Sequence, residues 1–139
     1  MPTPTGVYPC YENQFKINNT AIANCTSFSV SFNNGVEEWT AMESEGWLSR
    51  LMTAKSVTIS INGKRTLGDT GNDRVAAHVF HNGTDAQDDF SWTFPDGTVV
   101  TFSNAVIDVK ECGGGESTDV GPLNFDVLSN GKPTVTPAA

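Results

Sequence analysis

Basic residues are scarce. The 139-residue chain has eight Lys and Arg against sixteen Asp and Glu, a formal net charge of −8, with an isoelectric point near 4.5. A chain so short of cations has no patch with which to grip the phosphates of nucleic acid. The shortage deepens downstream, where residues 71–139 carry three bases and ten acids. Leucine is scarce too, with five copies, a poor supply for a helical bundle. No run of eighteen apolar residues occurs, so the sequence predicts no membrane-spanning helix and no membrane insertion. The opening residues lack the basic end and apolar stretch of a secretory leader. Three widely spaced cysteines, Cys10, Cys25 and Cys112, match no zinc pattern, and reduced thiols are expected, with one disulfide left open.

What the chain does have is β-forming residues. Val, Ile and Thr together number 34, and they fall in alternating patterns. Ser27-Phe28-Ser29-Val30-Ser31-Phe32 puts apolar side chains on one face and serines on the other. Lys55-Ser56-Val57-Thr58-Ile59-Ser60-Ile61 repeats the scheme and runs into Asn62-Gly63, a turn dipeptide. Phe90, Trp92 and Phe94 alternate before Pro95-Asp96-Gly97, which predicts a hairpin. The return strand, about residues 98–111, exceeds the usual strand length and predicts a bend or bulge. A last strand is expected over about 120–128, with Leu123, Phe125 and Val127 on one face.

One helix is predicted, capped by Asn72 or Asp73, with a stripe of Val75, Val79, Ala76 and Phe80, and stopped at Asn82-Gly83. Residues 37–52 fit neither period. They hold two of the three tryptophans and two of the three methionines, and read as a long loop that must dock on something.

Chemistry is thin. His78 and His81 are one helical turn apart but lack a third ligand, so they read as incidental surface residues. Asp85, Asp88, Asp89 and Asp96 lack the order of a calcium loop and read as solvated. Gly113-Gly114-Gly115 lacks the lysine and following helix of a phosphate cradle. With no nucleophile elbow, Cys–His pair or carboxylate couple, no catalytic residue, metal or cofactor is expected, and the chain does not read as an enzyme.

Several segments in order carry a resemblance. These are Gly46-Trp47 through Lys55-Ser56-Val57-Thr58-Ile59, then Gly63-Lys64-Arg65-Thr66-Leu67-Gly68-Asp69-Thr70-Gly71-Asn72-Asp73, then Phe90-Ser91-Trp92-Thr93-Phe94-Pro95-Asp96-Gly97-Thr98. Gly113-Gly114-Gly115-Glu116-Ser117-Thr118 and Val127-Leu128-Ser129-Asn130-Gly131-Lys132-Pro133 complete the series. Across residues 28–133 the chain resembles the major tail tube proteins of long-tailed (siphophage) bacteriophages. The resemblance implies a mainly β fold, a two-sheet β-sandwich or barrel with one short flanking helix and a long stacking loop. It implies a virion tail component, made in the host cytoplasm, in which six-fold rings stack into a hollow tube. Four strands from each of six copies would give a backbone radius of about 24 Å, wide enough inside for duplex DNA.

The expected organisation is an arm over residues 1–24 that orders on assembly, a sandwich domain over 25–130 and a tail over 131–139. Glu43, Trp47, Leu48, Arg50, Met52 and Lys55 are the expected contacts between rings and subunits. Glu38, Asp108 and Asp126 are the expected acidic lining, which would repel double-stranded DNA and let it slide through without specific binding. Partners implied are further copies of the chain, tail tip or baseplate, tape-measure and tail terminator proteins. Two other readings fit the strand pattern: a tube subunit of a contractile injection or type VI secretion system, and an immunoglobulin-like carbohydrate- or protein-binding module.

Overall fold

The computed structural model describes residues 6–137. Eight strands alternate with short turns: β1 Gln14–Ile17, β2 Thr20–Ala21, β3 Cys25–Trp39, β4 Ser49–Lys64, β5 Gln87–Thr93, β6 Val99–Cys112, β7 Pro122–Leu128 and β8 Thr134–Thr136. The one α-helix described, α1, is Thr70–Ala77, between β4 and β5. All strand pairs are antiparallel. The sheet runs β2-β1-β5-β6-β7-β4-β3, with β8 also on β6.

The two-layered sandwich comes from one hydrogen-bonded sheet that rolls over on itself, because its two ends meet across the core. Phe15 of β1 and Phe28 of β3, near opposite ends of the strand order, pack edge to face with centroids 4.8 Å apart. Phe28 also meets Trp92 of β5 at 6.2 Å. The strand that makes the bend is β6. Asp88 pairs with Ala105 and Phe90 with Phe102, so β6 carries an extra residue at Ser103-Asn104, and Asn104 takes a left-handed φ of 56°. A second irregularity lies between Val109 and Glu111. Bulges bend and twist a strand, as the length of this one predicts. Phe90, Phe102, Ile59, Ile61, Phe125 and Val127 are buried in the core between the layers.

Of the residues expected as an N-terminal arm, Phe15 and Ile17 are buried core and β1 pairs with β5. The predicted turn at Asn62-Gly63 is absent. β4 runs through it, pairing Asn62 with Asn124 and Gly63 with Leu123, and the glycine serves close approach, since a Cβ there would lie 2.5 Å from the Asn24 carbonyl oxygen. The predicted hairpin at Pro95-Asp96-Gly97 is present, with Gly97 at φ 96° and the Phe94 amide donating to the Thr98 carbonyl at 2.7 Å.

The helix is where predicted, but its cap and buried face differ. Asp69 is the cap, its Oδ2 accepting from the Asn72 amide at 3.0 Å and also from the Ala23 amide at 3.1 Å. Asn72, expected as the cap, is buried instead as a junction. Its Nδ2 donates to the Lys64 and Ala23 carbonyls, and its Oδ1 accepts from the Thr66 amide at 2.9 Å. Beyond Ala77 the chain tightens into a 3-10 turn, His78–Phe80, and three residues per turn rotate the stripe. Val75, within α1, is buried, whereas Val79 and Phe80 beyond it are exposed, Phe80 to 94%.

Gly71 opens α1 against β2, where a Cβ would sit 2.1 Å from the Ala21 carbonyl oxygen. Alanine favours a helix over glycine by about 1 kcal/mol, yet backbone cannot yield that far. Gly71→Ala is expected to destabilise the fold by about 2 kcal/mol, read as a lower urea midpoint at unchanged slope.

The long loop expected over residues 37–52 is strand at both its ends. Glu37, Glu38 and Trp39 pair with Leu51, Arg50 and Ser49, leaving only Thr40 to Leu48 as the connection, turned by Glu45 at φ 54° and Gly46 at φ 89°. Alternation is missing from this part of the sequence because neither face of the ribbon is buried in the single chain.

Candidate assembly surfaces

Three arrangements of side chains come out of this fold. The first is the outward face of the β3-β4-β7-β6 layer. Register places Ser29 opposite Ser60, Ser60 opposite Asp126 and Asp126 opposite Asp108, a row running across four strands. The next row is Ser27, Asn62, Asn124 and Glu111, tied by Asn62 donating to Ser27 at 3.2 Å and Asn124 donating to Glu111 at 2.6 Å. These side chains are short and polar, so the surface is flat and hydrated. Like charges directly across a strand pair repel, and Lys110 partly offsets this with its ammonium 2.6 Å from Asp108. That hydrogen bond, with the charges of Asp108 and Asp126, holds the lysine above its ordinary range. Asp108 and Asp126, both expected as lining, are thus brought together. Glu38 is not with them; it lies on the β3–β4 ribbon, its carboxylate 3.7 Å from Arg50 with both exposed, a pair that contributes little.

The second arrangement is that ribbon. β4 pairs with β7 only from Thr58 onward, so the stretch from Phe32 to Val57 has no third strand among the described residues. Phe32 is 64% exposed, Trp47 79% and Met42 99%, and Trp39, Leu48, Leu51 and Met52 are exposed with them. Glu43, Trp47, Leu48, Arg50, Met52 and Lys55, the expected contacts, all lie on this projection and all are exposed. Apolar area on this scale is costly to leave in water and marks an interaction surface.

The third was not legible in the sequence. Asp88, expected to be solvated, is buried beside Arg74 and His78. Its Oδ1 accepts from Arg74 Nη2 at 2.9 Å, and its Oδ2 lies 3.0 Å from His78 Nε2. His78 Nδ1 is in turn 3.1 Å from His81 Nδ1. Burial pushes the Asp88 carboxyl up, but hydrogen bonds from Arg74, His78 and the Asp89 amide outweigh it and hold the group below the ordinary value of 3.8. His78 is therefore a buried structural residue, not an incidental surface one. Arg74 and His78, four apart and so on one helix face, were the available clue. The cluster pins α1 to β5.

Among the described residues no three His, Cys, Asp or Glu side chains gather as a metal site. Of the other aspartates considered for a calcium loop, Asp89 accepts from the Asn104 amide across the β5–β6 pair and Asp96 from that of Thr98. Gly113-Gly114-Gly115 forms a turn with all three φ values positive. The three cysteines are free; burial, then the charge of Asp69, raises the Cys25 thiol to about 11. No helix of the described residues is long and apolar enough to cross a membrane.

The family model described as phage tail tube protein matches residues 12–101. A chain from the virion of a native gene transfer agent particle is similar in fold, with a TM-score of 0.73 at 22% identity, covering 94% of this chain and 100% of that one. A chain from the tail of an empty gene transfer agent particle, computed with helical refinement in C6 symmetry, matches at 0.72 and 22% identity, with coverages of 94% and 100%. A chain from the sheath/tube terminator of an extracellular contractile injection system, in its extended state, matches at 0.67 and 12% identity, covering 96% of this chain and 99% of that one. No curated protein sequence matches.

Proposed function

The chain belongs to the phage tail tube protein family, a family of structural subunits and not of enzymes, and on that premise we propose that six copies close into a ring. Rings stack into a hollow tail tube through which double-stranded DNA is delivered. The observation that carries this reading is the row Ser29, Ser60, Asp126 and Asp108 across four strands. A continuous wall built from six such layers presents small polar side chains and a ring of carboxylates to the lumen, together with the exposed edge Lys64 and Lys110. DNA carries one charge per roughly 1.7 Å, so a basic wall would hold it by counterion release while an acidic one lets it pass.

Ring closure also satisfies β3, whose outer edge is unpaired over its whole length among the described residues and would otherwise invite uncontrolled pairing. The β3–β4 ribbon makes the contacts between rings, with Glu43, Trp47, Leu48, Arg50, Met52 and Lys55 covered by neighbouring copies. Glu38 reaches the passage only where one ring meets the next. Exposed Val7, Tyr8 and Tyr11 ahead of β1 gain partners on assembly, as does the segment after residue 131. Tail tip or baseplate, tape-measure and terminator proteins complete the tube at its ends and in its bore, within a tail assembled from subunits made in the host cytoplasm.

The test is assembly. Trp47 is 79% exposed in the single subunit. Trp47→Ala is expected to cut the yield of sedimentable tubes about tenfold or more while the thermal midpoint of the dissociated subunit moves by about 2 °C or less. Undiminished tubes, or a matching loss of subunit stability, overturns the assignment of the ribbon.

A further inference from the structure

The exposed apolar surface at the ribbon's tip has a counterpart at the ribbon's base on the same chain. Phe28 and Val30 pack against the core, and Phe32 continues their side of β3 past the point where the core ends. Opposite it, the segment after β7 crosses back toward β8. Between them is a groove of about 690 Å³, with apolar walls from Phe32, Met52, Val57 and Val135. Ser129 closes its inner end, its hydroxyl accepting from the Val57 amide at 2.9 Å and its amide donating to the Val57 carbonyl at 2.9 Å. Beyond that point the β4 edge facing the groove has no strand beside it among the described residues.

The groove's charge is opposite to that of the molecule. Two of the eight basic residues, Lys55 and Lys132, line it, and no acid does. The ribbon tip is the reverse. Residues 40–48 hold Glu43 and Glu45 and no base, beside the exposed Met42, Trp47 and Leu48. Within one copy the extended strand holds the tip away from the groove, with about 10 Å from Ser49 to Met52 at its near end and about 20 Å to Lys55.

We propose that the groove between β4 and the segment 129–135 is the receptor for the ribbon tip of a second copy, with Trp47 and Leu48 entering the apolar floor and Glu43 and Glu45 meeting Lys55 and Lys132. This rests on the tube reading and names the partner site that the ribbon engages. Tip and groove are different patches of one surface, so their union is head-to-tail and does not close after two copies; it propagates along an axis. A single exposed ion pair contributes little, but the same pairs recur on every subunit of every ring, and the charges also reject a misaligned tip by meeting it with like sign.

Zero-length carbodiimide cross-linking of wild-type tubes, followed by mass spectrometry, tests this directly. The expected bonds join Glu43 or Glu45 to Lys55 or Lys132, absent from dissociated subunits. In parallel, Lys55→Glu with Lys132→Glu is expected to reduce tube yield about tenfold at 0.15 M salt, with subunit melting unchanged. Adding Glu43→Lys and Glu45→Lys to the same chain restores tubes to within about twofold. A wild-type chain that forms neither rings nor tubes overturns the tube reading itself. Wild-type tubes that tolerate the groove reversal, fail to recover with the swapped tip, or cross-link the tip elsewhere leave that reading standing and overturn the docking.

Discussion

Asp88→Ala is expected to cost about 3 kcal/mol of folding stability, close to 10 °C in thermal midpoint for a chain of this size. The alanine leaves His78 buried with no carboxylate and removes both acceptors of the Arg74 guanidinium. Arg74 is half exposed and regains water, which keeps the cost at the lower end for a broken pair. The sign of the pH dependence follows from the lowered carboxyl. Its contribution is fully present above the ordinary aspartate value of 3.8 and is lost as pH falls through the lower folded-state value. Wild-type melting should therefore hold from neutral pH to about pH 4 in this respect and decline below it, and Asp88→Asn should flatten that acid limb. An alanine variant as stable as the wild type would mean that α1 is held by the Val75 and Asn72 contacts alone.

Reversing the charge of the polar face is expected to spare assembly and stop transport. Asp108→Lys with Asp126→Lys replaces two facing carboxylates by cations in every subunit. The pair lies on the partly exposed polar face, away from the buried side of its strands, so subunits should fold and tubes should form. Each ring then offers the passing duplex a cationic band, and release of DNA from particles built with the variant should fall about tenfold or more at low salt, recovering as salt rises. Asp126→Asn, which only removes repulsion across the β6–β7 pair, should leave stability unchanged or raise it by a few tenths of a kcal/mol. Normal DNA release by the lysine variant at low salt would remove the electrostatic role of this face.

Strand positions were legible wherever one face is buried within the single chain. Phe28 and Val30, Val57 to Ile61 and the Phe90–Phe94 stretch alternate because one side of each packs inward, and the bulged length of β6 was visible in its residue count. The ribbon beyond Phe32 was not legible, since neither of its faces is buried among the described residues and periodicity reports only burial. Asn62-Gly63 misled because glycine serves close approach as well as turning, and the difference lies in Asn24, far away in sequence. The cap of α1 was misread by a few residues because Asn72, a good cap by type, is consumed by carbonyls of Ala23 and Lys64. Asp108 and Asp126 could be placed on polar faces one strand at a time, whereas their direct opposition depends on the β6–β7 register. Asp88 escaped because nothing local distinguishes a buried aspartate from its solvated neighbours Asp85 and Asp89.

A density map of tubes assembled from the purified chain is the most direct measurement. The expected map has six subunits per ring, the row of Ser29, Ser60, Asp126 and Asp108 facing an open bore, and each ribbon tip seated on a subunit of the adjoining ring. A bore lined instead by the ribbon's aromatic residues or by a predominance of lysine and arginine, or particles that never progress beyond single folded chains, would contradict it.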